Sequence, residues 1–294
     1  MSTKLFRYEW MVKPTPQSAW IEGKGVWLWL AFFFTEIGAG IYFVSLFLNY
    51  PPGCLIGYLV ALALGGIVHM AYLGNPMRAW RIFLKPKTSE LSRGLWATLL
   101  FAAIGFFQVV PVVFSFLPWS GGHVVLRVIM GILCVMLISH GFLTMNVVRA
   151  LPMWNSPMMI PLSVISGIWV GSQAVEFFLG LSGANLGLAE IWSRWSLLAY
   201  MGVLLMFLFG TSHTSETGRL SIKGIVAGEL AARFYIGVVV IGIIVPLIIT
   251  LVIWGSGAEK LNNGVIFLRF LCVLIGDLMM RHAIMKGARY APLV

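Results

Sequence analysis

Eight stretches of roughly 20 mostly apolar residues follow one another along a chain of 294 residues, and that succession leaves few folds open. In hydrocarbon each backbone N–H and C=O must find its partner inside the protein, so runs of this length become spanning helices. The expected fold class is an all-α integral membrane protein whose eight transmembrane helices are arranged as two four-helix bundles. A composition that is 60% hydrophobic and 10% charged, with a mean hydropathy of +0.93, excludes a soluble domain. The first apolar run follows a charged amphipathic leader, lacks a small-residue cleavage site and is too long for a signal-peptide core, so it reads as the first span. The division expected is a cytoplasmic leader over residues 1–25 and a membrane domain over 26–294.

The spans are predicted at about 26–48, 55–75, 95–117, 124–148, 158–181, 195–210, 234–254 and 264–282. The sixth is short for a bilayer, and the polar stretch 211–233 reads as a loop with a short helix at 222–232. The leader carries Lys4, Arg7, Lys13 and Lys24, with Trp10 and Trp20 as interfacial anchors. The net charge of +10 comes from cations scattered between spans, so it reports orientation and argues against a nucleic-acid partner. Sixteen of the 20 Lys and Arg fall on one side of the alternating connections, which makes both termini cytoplasmic in a cell inner membrane. Cys54, Cys134 and Cys272 show no paired spacing. The chain therefore reads as having no iron-sulfur cluster or disulfide framework of its own.

Ionisable groups inside spans are costly and need a reason to be there. Glu36, His69, His140, Glu176, Arg269 and Asp277 qualify. His69 and Tyr72 share a face of the second span, just before a Gly74-Asn75-Pro76 break and a run of cations at Arg78, Arg81, Lys85, Lys87 and Arg93. With His140, Asn146 and Asp277 they gather near one interface. A quinone head group requires donors for its two carbonyl oxygens, a nearby proton carrier and an apolar slot, and these residue types satisfy that. Each has a plainer role as well. A lone His or Asn in a span also bonds a neighbouring backbone, Arg or Lys at a helix end snorkels, and Asp277 with Arg281 reads first as a pair tying the last span down. Only His69 and His140 lie within spans, so no haem is expected and a single bis-histidine haem is the most that fits. No metal ligands are assigned.

The single motif formed by GNPMRAWRIF followed by TSELSRG, the LPMWNSPMMIPL exit from the fourth span and the MMRHAIMKGARYAPL close of the eighth resemble the polysulfide reductase and DMSO reductase membrane-anchor family (NrfD/DmsC-like). The three motifs occur in the same order, so the resemblance covers essentially the whole chain. It implies a membrane anchor and quinone- or quinol-reactive subunit of a molybdenum- or tungsten-dependent respiratory oxidoreductase. Such a subunit exchanges electrons between a four-cluster ferredoxin-like iron-sulfur subunit and a menaquinone or ubiquinone pool. The iron-sulfur clusters and the Mo/W-bis-pterin belong to partner subunits. Where DMSO-reductase-type anchors place a quinol-binding histidine, four residues before the motif proline, this chain has Tyr72, with His69 one turn earlier. The first-span histidine of polysulfide-reductase-like members has no counterpart, and Trp27 and Glu36 stand nearest. Residue types and resemblance together lead to the expectation that His69, Tyr72, Glu36 and His140 carry the chemistry and that His69, Tyr72, Trp27, Asn75 and Asn146 bind quinone; by the resemblance Arg78 and Arg81 face the iron-sulfur partner, with Lys85 and Arg93 in the same basic run. The competing readings are a proton-linked secondary transporter using Glu36, Glu176 and Asp277, and a haem b cytochrome.

Overall fold

The computed structural model describes residues 17–114, 119, 123–256 and 262–291. The predicted roles of Lys4, Arg7, Trp10, Lys13 and Lys260 lie outside those residues. Eight helices are long and apolar enough to cross a membrane. They are α1 (Gly25–Phe47), α2 (Pro51–Tyr72), α3 (Glu90–Val113), α4 (Val124–Asn146), α5 (Met159–Leu181), α6 (Gly187–Thr214), α8 (Ala231–Gly255) and α9 (Asn263–Gly287). A short α7 (Glu216–Val226) links α6 to α8, and no strand occurs among the described residues. The protein is a multi-pass α-helical membrane protein.

Local chemistry accounts for most boundaries. Pro51 and Pro52 start α2 four residues before the predicted position, because proline's missing N–H is no loss in a first turn. Ser89 caps α3 by accepting the Ser92 N–H at 3.3 Å, so that helix opens at Glu90 rather than 95. Ser215 caps α7 through the Gly218 N–H at 2.9 Å, which shifts the short helix six residues upstream of its expected place. At the end of α5, Gly183 takes a φ of +68°, and the Ala184 N–H returns to the Leu179 carbonyl at 3.0 Å.

The sixth span departs most from expectation, running 28 residues from Gly187 to Thr214. Hydropathy stops at Glu190 and Arg194, yet the two pair at 3.7 Å along one helix face and the Arg194 guanidinium lies 4.8 Å from the Trp254 ring centre. Charges satisfied inside the protein let a helix continue where a hydropathy window ends it. Pro111 and Pro246 sit within spans without ending them, and the Thr250 hydroxyl bonds the Pro246 carbonyl at 2.7 Å. Val60–Leu64 of α2 and Phe234–Ile244 of α8 are wound as π-helix.

The spans form two consecutive quartets, α1 to α4 and then α5, α6, α8 and α9, joined along α1 and α5. Glycine makes that joint. A Cβ at Gly40 would collide with the Gly167 carbonyl, and one at Gly171 with the backbone of Gly40, so the two helices meet main chain to main chain. On another face of α1, Gly38 lies against Gly57 and Ala61 of α2.

One end of the molecule is closed by the segments between spans. Trp154, fully buried in the loop after α4, donates its indole N–H to the Ile284 carbonyl at 3.0 Å and meets the Trp20 ring at 5.3 Å. Gln17 donates to the Met285 carbonyl, Lys286 pairs with Glu22 at 2.8 Å, and the Ala291 N–H reaches the Ala150 carbonyl at 2.8 Å. Leader, fourth loop and C-terminal segment are thus fastened together on the face that carries most of the cations.

Candidate functional site

Two histidines converge at that end on one phenylalanine. His69 in the last turn of α2 and His140 on α4 stand edge-on to Phe32 of α1, with ring centres 5.8 and 6.4 Å away. His69 is half-buried and donates its Nδ1–H to the Gly65 carbonyl at 3.0 Å. That bond fixes the tautomer and leaves Nε2 as an acceptor. His140 is 8% exposed and lies against Gly94, where any larger residue would strike its ring.

Phe32 also forms one wall of a narrow, partly open cleft between α1, α4 and α9, lined further by Trp29, Phe142, Met145, Arg281 and Met285. The enclosed space is no more than water-sized, and the flexible Met145 and Met285 side chains are the part of the lining that can yield to a larger guest. The buried Trp29 indole N–H has no hydrogen-bond partner among the described residues. Arg281, 5.3 Å from the Phe142 ring centre, forms the polar wall.

Behind that wall lies a charge cluster. Arg281 is ion-paired with Glu36 of α1 and, at 2.8 Å, with Asp277 one turn back on α9. The Ser166 hydroxyl of α5 donates to the other oxygen of Asp277. All four side chains are buried, and two carboxylates face a single guanidinium. A second cluster sits toward the opposite end. There Glu176 of α5 pairs with Arg269 of α9, both fully buried, and Arg269 donates to the Thr250 hydroxyl at 3.2 Å.

The predicted site residues separate accordingly. His69 and His140 come together. Glu36 turns away from them to Arg281 and Asp277, and the Asp277–Arg281 pair forms as its spacing implies. Tyr72 is the half-buried last residue of α2, and Asn75 is exposed in the break that follows. Trp27 is 46% exposed, whereas Trp29, two residues on, lines the cleft. Asn146 is engaged locally, donating to the Trp154 carbonyl at 3.0 Å. Arg78, Arg81 and Lys85 are exposed along or just after the 3-10 segment Pro76–Leu84, together with Met77 and Trp80. Arg93 instead closes its own loop, pairing with Glu90 and donating to the carbonyls of Pro86 and Lys87 at 3.0 and 2.7 Å.

Sequence reasoning missed Trp29, Phe32, Phe142, Met145 and Met285, which look like ordinary apolar span residues, and the partnership of Arg281 with Glu36. The available signal for that last pair was the cost of an isolated acid in the first span. Fold and geometry together define a polytopic helical membrane protein with an aromatic cleft beside a buried ionisable cluster. Compared with known proteins, the chain matches no family model and no curated sequence.

Proposed function

We propose that the chain is the quinone-reactive membrane subunit of a multisubunit respiratory oxidoreductase, in keeping with the motif resemblance above. Electrons would pass between a bound quinone and an iron-sulfur partner docked on the exposed cations Arg78, Arg81 and Lys85, with a Mo/W-bis-pterin subunit beyond it. The carrying observation is the cleft between α1, α4 and α9, lined by Trp29, whose buried indole N–H has no partner among the described residues, and by Phe32, which two histidines meet edge-on.

A quinone carbonyl accepts hydrogen bonds, and a buried donor without a partner carries a penalty of about 1–3 kcal/mol that such an acceptor relieves. Trp29 then orients the ring, Phe32 and Phe142 hold its faces, and Met145 and Met285 give the slot a deformable rim. A bound quinol supplies two electrons and two protons. An imidazole can both accept and donate a proton, so His69 and His140 would serve proton exchange with the ring, with Glu36 as the next carrier behind Arg281. Tyr72 and Asn75 lie at the end of α2 and just beyond it, a turn past His69. On the positive-inside bias this end would face the cytoplasm.

The test is turnover of the intact complex in native membranes. His69→Ala and Trp29→Phe should each lower quinone-linked turnover about tenfold or more, equivalent to about 1.4 kcal/mol, while dye-linked activity of the soluble subunits is unchanged. Full quinone-linked turnover in both variants, or isolation of the chain from native membranes with no iron-containing companion, would overturn the proposal.

A further inference from the structure

The two charge clusters lie on one line. α5 and α9 run antiparallel, so Ser166 meets Asp277 at one level and Glu176 meets Arg269 at another. Asp277 and Arg269 are eight residues apart, about 12 Å at 1.5 Å per residue. Between these levels α5 and α6 place Gln173, fully buried, and Tyr200, 1% exposed and stacked on Trp169 with ring centres 4.3 Å apart. Both amide atoms of Gln173, the Tyr200 hydroxyl and the Trp169 indole nitrogen have no hydrogen-bond partner among the described residues. Four such atoms in one stretch of an apolar bundle form a hydrophilic seam, and water is the small group that satisfies them.

Both ends of the seam approach the surface. At one end Tyr200 is within electrostatic reach of Asp277, Arg281 and Glu36, and Arg281 lines the open cleft. At the other, Ser193 and Glu190 are within electrostatic reach of Glu176, and the Glu190–Arg194 side chains are 17% and 18% exposed beside Trp254. The charges are unequal along the line. Glu176 and Glu190 are matched by Arg269 and Arg194, whereas Glu36 and Asp277 share Arg281 alone. An uncompensated buried charge costs several kcal/mol, so the cluster is neutral when one of its two carboxyls carries a proton.

We propose that this column is a proton-transfer route through the second quartet. A proton binds at the Glu36–Asp277 pair, passes along water held by Tyr200 and Gln173 to Glu176, and leaves by Glu190, or travels the reverse way. The acids stand at different depths because a relay needs them spaced. Nothing is oxidised or reduced, and one proton enters for each that leaves.

The experiment reconstitutes the full chain in liposomes containing a pH-sensitive dye, drives protons inward with a potassium diffusion potential set by valinomycin, and follows internal acidification. The wild-type chain should acidify the lumen well above protein-free liposomes. Asp277→Asn and Gln173→Met should each cut the rate about tenfold. Gln173→Met removes no charge and keeps the volume, so it decides the matter should Asp277→Asn fail to fold. A wild-type rate equal to that of empty liposomes, or a Gln173→Met rate equal to wild type, would overturn the route. No quinone and no partner subunit is present, so a failure here leaves the quinone proposal standing, and the converse holds.

Discussion

Replacing Arg281 by Met tests the charge cluster directly. The methionine occupies similar volume but leaves Glu36 and Asp277, with side chains 2% and 3% exposed, facing each other without a cation. Ser166 still donates to Asp277, whereas Glu36 loses its one ion-pair partner among the described residues, and the contact with the Phe142 ring goes as well. Removing one member of a buried pair costs about 3–5 kcal/mol, a large part of the about 5–15 kcal/mol that holds a typical domain. Unfolding in mixed micelles by SDS titration, followed by tryptophan fluorescence, should register that loss. Neutralising all three positions, as Arg281→Met with Glu36→Gln and Asp277→Asn, should return stability to within about 1 kcal/mol of wild type, since the penalty belongs to the unpaired charges. The reasoning fails if the single variant lies within about 0.5 kcal/mol of wild type, or if the triple variant is as unstable as the single one.

Two further perturbations probe other parts of the argument. Gly40→Ala drives a methyl into the Gly167 carbonyl and should cost about 1–3 kcal/mol in the same titration by forcing α1 and α5 apart; Gly66→Ala, where a Cβ meets nothing, is the control. Glu22 has its pKa held below the usual value by the hydrogen bond and charge of Lys286. A lowered folded-state pKa contributes stability above the unfolded value that is lost as pH falls through the folded one. Because the pair is solvent-exposed, Glu22→Gln should leave the melting temperature at neutral pH nearly unchanged and flatten its small decline in acid.

The number of spans was legible because the bilayer imposes a length that hydropathy measures directly. Boundaries were legible only where apolar runs end at loops. Glu190 and Arg194 misplaced the start of α6, since a window sum cannot tell a charge facing water from one paired along a helix. Asp277 and Arg281 were readable as a pair from i,i+4 spacing, whereas Glu36 and Arg281 are joined by packing at the α1–α5–α9 junction, which no local pattern announces. The same limit separates Trp27 from Trp29. Both are tryptophans near a helix start, and the turn of the helix decides which one meets the cleft. Arg93 reads as a docking cation by position, but Glu90 and the carbonyls of Pro86 and Lys87 already occupy it.

Glu36 belongs to α1, and the guanidinium that balances it belongs to α9, which leaves the ribosome only after the six intervening spans. Throughout synthesis of the intervening helices this acid lies in a half-built bundle without its counter-ion, so it must enter the membrane neutral or borrow a temporary neighbour. Arrival of α9 is therefore the event that locks the assembly, and a chain truncated before Arg281 should be a substrate for membrane quality control even though seven spans are complete.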